Sequence, residues 1–324
     1  MGRCGAQLQP KDSLASSHPI RACLSGEDLD WLGGRSVCVA LDLRTTVRVG
    51  DRGANPAEGE PIPVEPWAIN VWNYLCTRTS ELDGDLPRVV ARTQGPLASG
   101  LSSSTALILG LFEALASCSS NRIPFQTLVR WAYEFEFAIF NGGGMDHMSI
   151  MCGGATLFQG REQGLPELIG HCAFPNEWSV LVVDSRTRKD TKDHVRCGRH
   201  QVAIQDPALT RYVRAATDAS DVVWSAICSQ NLAVLSEGIE LAHAAMREHQ
   251  SMSTPWLEQI REIAWEAARL RLKVSGAGGG GALVGVCARS DAEAVVDSLA
   301  RRFGEEATGV HVRAVDTVAP RGSW

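Results

Sequence analysis

Gly95-Pro-Leu-Ala-Ser-Gly-Leu-Ser-Ser-Ser-Thr-Ala-Leu107 runs straight into an apolar, helix-forming stretch. Glycine lets a backbone approach a ligand closely, and the free N–H groups that open a helix bind phosphate. The hydroxyls at 102, 103 and 104 add hydrogen bonds and one possible Mg²⁺ ligand. No Lys is present and the spacing departs from G-x-x-x-x-G-K-[ST], so this is not a P-loop.

Two further glycine clusters lie downstream. Phe140-Asn-Gly-Gly-Gly-Met-Asp-His147 sets Asp146 on a turn without neighbouring bulk. That suits a carboxylate aimed at a ligand, although a plain glycine turn with Asp as a helix cap fits as well. Glu134, on a predicted helix upstream, is within reach of the same site. Lys273-Val-Ser-Gly-Ala-Gly-Gly-Gly-Gly-Ala-Leu-Val-Gly285 holds six glycines in the ten positions from Gly276. Each costs backbone entropy on ordering, so bare backbone is needed there, for phosphate or for close chain packing.

Around these clusters, strand-like and helix-like segments alternate. Residues 37–47 and 88–92 read as strands, and a helix follows Gly100. Residues 49–65, rich in Gly, Pro and acid, read as a surface loop. Trp178 to Asp184 opens a second strand-and-helix series. Thr254-Pro255 is a helix start, followed by an apolar stripe of Trp256, Ile260, Ile263, Ala267 and Leu270. A last helix near 290–303 and a last strand near 309–315 close the chain. The first twenty residues are weakly patterned. The expected architecture is α+β in two halves, residues 20–165 and 166–324, with a soft boundary between Gln159 and Glu177.

Composition limits the function classes. The 324 residues are 44% hydrophobic and 21% charged, with a net charge of −6. That disfavours a nucleic-acid coat and excludes wholesale disorder. Residues 1–20 lack the apolar core of a secretory signal, and the apolar run Ala106–Ala116 is too short to span a bilayer. No Cys-x-x-Cys pair occurs among the ten cysteines. A cytoplasmic protein with reduced thiols is expected, with no nucleic-acid or membrane partner.

Taken together, the three clusters resemble the motifs of the GHMP kinases, the superfamily of galactokinase, homoserine kinase, mevalonate kinase and phosphomevalonate kinase. The resemblance implies a two-domain fold: an N-terminal ribosomal-protein-S5-domain-2-like half and a C-terminal ferredoxin-like half. Arg21-Ala-Cys-Leu-Ser-Gly-Glu-Asp-Leu-Asp-Trp-Leu-Gly-Gly34 is similar, without a gap, to the galactokinase pattern R-V-N-L-I-G-E-H-T-D-Y-x-G-G. It implies that Glu27 and Asp30 grip sugar hydroxyls, with Asp28 standing where galactokinases have His. By the same similarity, Pro96 and Ser99-Gly100-Leu101-Ser102-Ser103-Ser104 wrap the phosphates of ATP. Ser104 and Glu134 are the implied Mg²⁺ ligands, Asp146 the catalytic aspartate with Gly144 beside the substrate, and Arg21 a charge stabiliser. His147 replaces the family's Gln. The third cluster, with Gly276, Gly278, Gly279 and Gly280, is closest to the S-G-A-G-G-G-G of heptose-7-phosphate 1-kinases.

The implied reaction is phosphoryl transfer from MgATP to the anomeric hydroxyl of a sugar or sugar phosphate. Arg186-Thr-Arg-Lys-Asp-Thr-Lys192 bears on which, since Arg188, Lys189 or Lys192 could grip a phosphate already on the sugar. A solvated turn is the other reading of that segment. A galactokinase-type enzyme on a free sugar, a non-catalytic sugar sensor, and an amino-acid or mevalonate acceptor are the alternatives. A monomer or homodimer is expected.

Overall fold

The computed structural model describes residues 14–50, 58–82, 84–187, 191–306 and 308–322. The first half contains β1 (Leu14–Ser25), α1 (Leu29–Leu32), β2 (Arg35–Val49), β3 (Glu60–Ile62), α2 (Glu65–Cys76), β4 (Val89–Thr93), α3 (Ser103–Ala116), α4 (Phe125–Phe140), α5 (Met145–Cys152), β5 (Ala155–Gln159) and β6 (Glu167–Cys172). Its sheet is organised on β2. One edge of β2 pairs with β1 over nearly its whole length; the other is shared, β5 taking Arg35–Val39 and β4 taking Thr45–Val49. All these pairings are antiparallel, and β3 and β6 extend the two ends.

β1 begins inside the stretch whose patterning is weak in sequence. Its inward residues there are polar: Ser16 and His18 are buried, and both reach Glu113 on α3, at 2.6 and 2.9 Å. A strand whose buried face is made of Ser and His shows no apolar alternation.

The second half adds β7 (Trp178–Asp184), α6 (Thr191–Ala203), α7 (Pro207–Cys228), α8 (Leu232–Gln250), α9 (Pro255–Ala268), β8 (Lys273–Val274), β9 (Ala282–Ala288), α10 (Ala292–Glu305) and β10 (His311–Val315). Its strand order β10-β7-β9-β8 is the 4-1-3-2 arrangement of a ferredoxin-like sheet, as expected. Thr254 caps α9, accepting from Leu257 N–H at 3.3 Å, and Ile260 and Ile263 of the predicted stripe are buried.

β7 joins the halves. Val180 and Val182 on one face enter the core shared with β2 and α3; Leu181 and Val183 on the other pack with α9 and α10 residues. Burial on both faces explains the uninterrupted apolar run. The expected division at 165/166 needs correction, because β6 pairs with β5 in the first sheet. The first half therefore extends through Cys172. The C-terminal segment also returns to it, with Asp42 N–H donating to Asp316 C=O at 2.8 Å and Val318 N–H to Ala40 C=O at 3.0 Å.

Among the described residues no helix is long and apolar enough to cross a membrane. The nine cysteines described are all free.

Candidate active site

The loop ahead of α3 takes its shape from three residues with positive φ: Ala98 (53°), Gly100 (84°) and Ser102 (58°). The first α-helical bond of α3 runs from Ala106 N–H to Ser102 C=O at 3.0 Å. The N–H groups of Ser103, Ser104 and Thr105 therefore have no acceptor within the helix, which is the arrangement that attracts phosphate. Ser102 is the N-cap residue but its hydroxyl caps nothing; it donates to Asp146 Oδ2 at 2.5 Å.

Asp146 lies in the first turn of α5, and Arg21 projects from the middle of β1. The guanidinium holds Asp146 Oδ1 through Nε at 2.8 Å and a terminal nitrogen at 2.6 Å, and its other nitrogen donates to Gly100 C=O at 2.7 Å. Burial alone pushes the Asp146 carboxyl up; the Arg21 charge and the hydrogen bonds from Ser102 and Arg21 outweigh it, leaving the group below the usual range. Burial lowers the Arg21 pKa, but the Asp146 charge and hydrogen bond, together with Cys38 and Cys23, raise it by more, so both stay charged.

These groups line a cavity of about 390 Å³. Around it stand Ser99, Gly100, Ser102, Ser103 and Ser104 of the loop, Glu27, Asp28 and Asp30 of the first motif, and Asp146 and Gly276. Pro96 and Leu101 do not line it: Pro96 C=O accepts from the Ser99 hydroxyl, and Leu101 is fully buried with its C=O bonded to Arg21 N–H. Gly144 does not either. It precedes α5, and a Cβ there would meet Leu165 and Tyr133; Gly142 and Gly143 face the cavity instead. A Cβ on Gly143 would overlap the Asp30 carboxylate.

The acidic residues of the first motif are in three different situations. Asp30 is buried and accepts from Met145 N–H at 3.0 Å. Burial first, then the charges of Asp146 and Asp28, push its carboxyl up to about 7. Asp28, with φ 64°, accepts from the Trp31 indole at 3.2 Å and meets His194 of α6 at 2.5 Å. Glu27 reaches the cavity wall with its oxygens already engaged, one by Lys273 and one by Gly276 N–H at 2.9 Å. A carboxylate oxygen can accept more than one hydrogen bond, so these contacts fix Glu27 at the wall without excluding a sugar hydroxyl. Lys273 is fully buried and has an acceptor for each of its three protons: Glu27, Cys23 C=O and Val274 C=O. A lysine opening a glycine run gave no sign in sequence of being the counter-ion of a residue 246 positions away.

The expectation for Glu134 is corrected. It does not line the cavity; it binds the Tyr74 hydroxyl at 3.1 Å and Arg78 at 3.5 Å on the outer side of α4. Residues two apart on a helix differ by about 200° in direction. Glu136 faces the cavity instead, its Oε1 accepting from the Thr105 hydroxyl at 3.1 Å.

The third glycine cluster serves mainly close packing. Gly281, with φ 87°, lies where a Cβ would strike Ser99 C=O, and Ala282 N–H donates to that carbonyl at 2.7 Å. Gly279 N–H is taken by Met252 C=O, and a Cβ on Gly278 would strike the same carbonyl. Gly276 and Ala277 reach the cavity; Gly278, Gly279 and Gly280 do not line it. Arg188 and Lys189 lie outside the described residues. Lys192 stands in the first turn of α6, which carries His194 to Asp28 and Val195 into the cavity wall. Sequence reading also missed Ile62 and Trp67, which with Leu97 form an apolar part of that wall.

Comparison with known proteins agrees with this arrangement. The family described as "GHMP kinases N terminal domain" matches residues 68–154, and "GHMP kinases C terminal" matches residues 225–306. The chain is 24% identical over 338 aligned residues to a galactokinase of Mycobacterium bovis, covering 87% of this chain and 91% of that one. A mevalonate kinase of Gibberella zeae is 26% identical over 216 residues, 59% of this chain but 42% of the fungal protein's length. The fold matches Lactococcus lactis galactokinase, solved with galactose, at a TM-score of 0.76 and 16% identity, over 97% of this chain and 96% of that one. With both halves matched and the three motifs gathered on one cavity, the chain belongs to the GHMP kinase superfamily of phosphotransferases acting on hydroxyl groups.

Proposed function

We propose that the protein is an ATP-dependent sugar kinase that phosphorylates the anomeric (C1) hydroxyl of a sugar or sugar phosphate, of the heptose- or octose-phosphate 1-kinase type. Its product is the kind of sugar 1-phosphate from which nucleotide-activated sugars are made. The observation that carries the reading is Asp146, fixed by Arg21 and Ser102 at the mouth of the phosphate loop, in one cavity with Asp28 and Asp30.

In this reading the triphosphate lies against the first turn of α3, and the adenine against Trp67, Ile62 and Leu97. Asp146 is a weak base with both oxygens already bonded. Its work is to orient the acceptor hydroxyl and accept the proton late, which suits a loose phosphoryl transition state. Arg21 holds that carboxylate ionised and adds positive charge beside the transferring group. Glu136 fits a divalent ion, because its Oε2 is buried without a hydrogen bond while the Ser104 hydroxyl lines the same cavity. Mg²⁺ held by Ser104 and Glu136 would neutralise phosphate charge.

The acceptor end favours a polyol. Asp28 and Asp30 accept hydroxyl hydrogen bonds, whereas an acceptor carrying a carboxylate there meets like charges. In this reading a phosphate on the sugar is met by Arg188 and Lys192, two basic residues of the 186–192 segment.

The test is ADP release, by coupled assay, over free sugars, sugar phosphates, homoserine and mevalonate. A phosphorylated seven- or eight-carbon sugar is expected to be turned over far better than free galactose. Replacing Arg188 and Lys192 by Ala should raise KM for the sugar phosphate and leave KM for ATP nearly unchanged. Galactose as the equal of every sugar phosphate would shift the reading to a galactokinase; turnover of mevalonate or homoserine alone would end it.

A further inference from the structure

His147 follows the catalytic aspartate, is 2% exposed and lines the cavity, yet neither ring nitrogen has a hydrogen-bond partner. Its Nε2 stands 3.0 Å from Glu136 Oε2, which is likewise buried and without one. The two atoms are close but not aligned as donor and acceptor. A simple imidazolium–carboxylate pair directs the N–H at the oxygen, and this one does not.

We propose that Glu136 Oε2 and His147 Nε2 are adjacent ligands of one divalent ion, and that the imidazole makes this site prefer Mn²⁺ or a later first-row ion over Mg²⁺. The inference rests on the reading of Glu136 as the metal carboxylate. Adjacent donors on an octahedral ion with bonds of about 2.1 Å stand about 3.0 Å apart. Glu136 is held from behind by a hydrogen bond, as metal ligands commonly are, and His147 by ring packing alone. The Thr105 hydroxyl occupies Glu136 Oε1 and leaves Oε2 for the ion, and the Tyr133 ring packs edge-on against the imidazole, centroids 5.8 Å apart at 89°. Ser103 and Ser104 line the same cavity, so phosphate oxygens and hydroxyls can complete the sphere. Mg²⁺ takes oxygen ligands, whereas imidazole nitrogen suits ions further along the Irving–Williams order.

Pulsed electron paramagnetic resonance on the whole protein loaded with Mn²⁺ and tripolyphosphate, a nitrogen-free stand-in for the nucleotide phosphates, tests this. Wild-type protein is expected to show ¹⁴N modulation from a directly bound imidazole. His147→Gln should abolish it and weaken Mn²⁺ binding about tenfold or more, while Mg²⁺ binding, measured by competition, changes far less. Glu136→Gln should weaken both ions. Tightly bound Mn²⁺ without ¹⁴N modulation, still dependent on Glu136, overturns the nitrogen ligand and leaves the proposed kinase standing. Mn²⁺ binding indifferent to Glu136→Gln overturns the metal reading of Glu136 and this inference with it. The wild-type spectrum alone decides the imidazole question, so a variant that fails to fold does not remove the test.

Discussion

Asp146 and Asp30 line the same cavity and are both buried, yet their carboxyls move in opposite directions. Asp146 has Arg21 and Ser102 to offset its burial; Asp30 has one backbone N–H and two acidic neighbours, and rises to about 7. Between pH about 4 and about 7 the folded chain therefore holds a proton on Asp30 that the unfolded chain has lost. Stability attributable to this group falls as pH rises through that window. Asp30→Asn removes the charge while its amide oxygen can still accept from Met145 N–H. The variant should be more stable than wild type at pH 8, by on the order of 1–3 kcal/mol in urea unfolding, with the gap closing toward pH 4. A gap that does not vary with pH would contradict the raised pKa. Because Asp30 is assigned to the acceptor, the same change should raise KM for the sugar, a stability gain at the expense of function.

Two elements decide how the site is held. The turn from β1 to α1 is tied to β8 by the Glu27–Lys273 pair, buried on both sides. Lys273→Met leaves a buried carboxylate without its counter-ion and should cost about 3–5 kcal/mol. Adding Glu27→Gln should recover much of that loss in chemical denaturation, because the stranded charge is gone. Simple additivity of the two losses would mean that the pair does not act as a unit. On α4 the contrast lies between two faces of one helix: Glu136→Gln should raise the Mg²⁺ concentration needed for half activity, and Glu134→Gln should leave it nearly unchanged. The reverse result would restore Glu134. These elements also mark what was legible in the sequence. Residue spacing located α3, α9, β7 and the glycine turns, because each carries a period, a cap or an unusual glycine density. It could not choose between Glu134 and Glu136, since counting along a chain does not fix which helix face meets a cavity. Nor could it detect the Glu27–Lys273 pair, which exists only through the contact between β1 and the second half.

At the scale of the whole molecule, the site is a seam. The first half supplies the phosphate loop, Arg21, Asp30 and Asp146; the second supplies Gly276 and the packing that holds the loop from behind, through Gly281 against Ser99. β7 shares its two faces between the two cores, and residues 316–318 return to β2, so the halves form one body around the cavity. That rigidity is what a transfer reaction dominated by positioning requires. The central claim is that this cavity moves a phosphoryl group from ATP to an anomeric hydroxyl under the direction of Asp146. It is tested most directly by ³¹P NMR of reactions containing ATP and the best acceptor, with wild type and Asp146→Asn side by side. Wild type should give a phosphomonoester resonance coupled to the sugar's anomeric proton. The variant should bind ATP as before and form that product at least about a hundredfold more slowly. Near-equal rates from the two proteins, or a phosphate appearing on any carbon other than C1, would contradict the account.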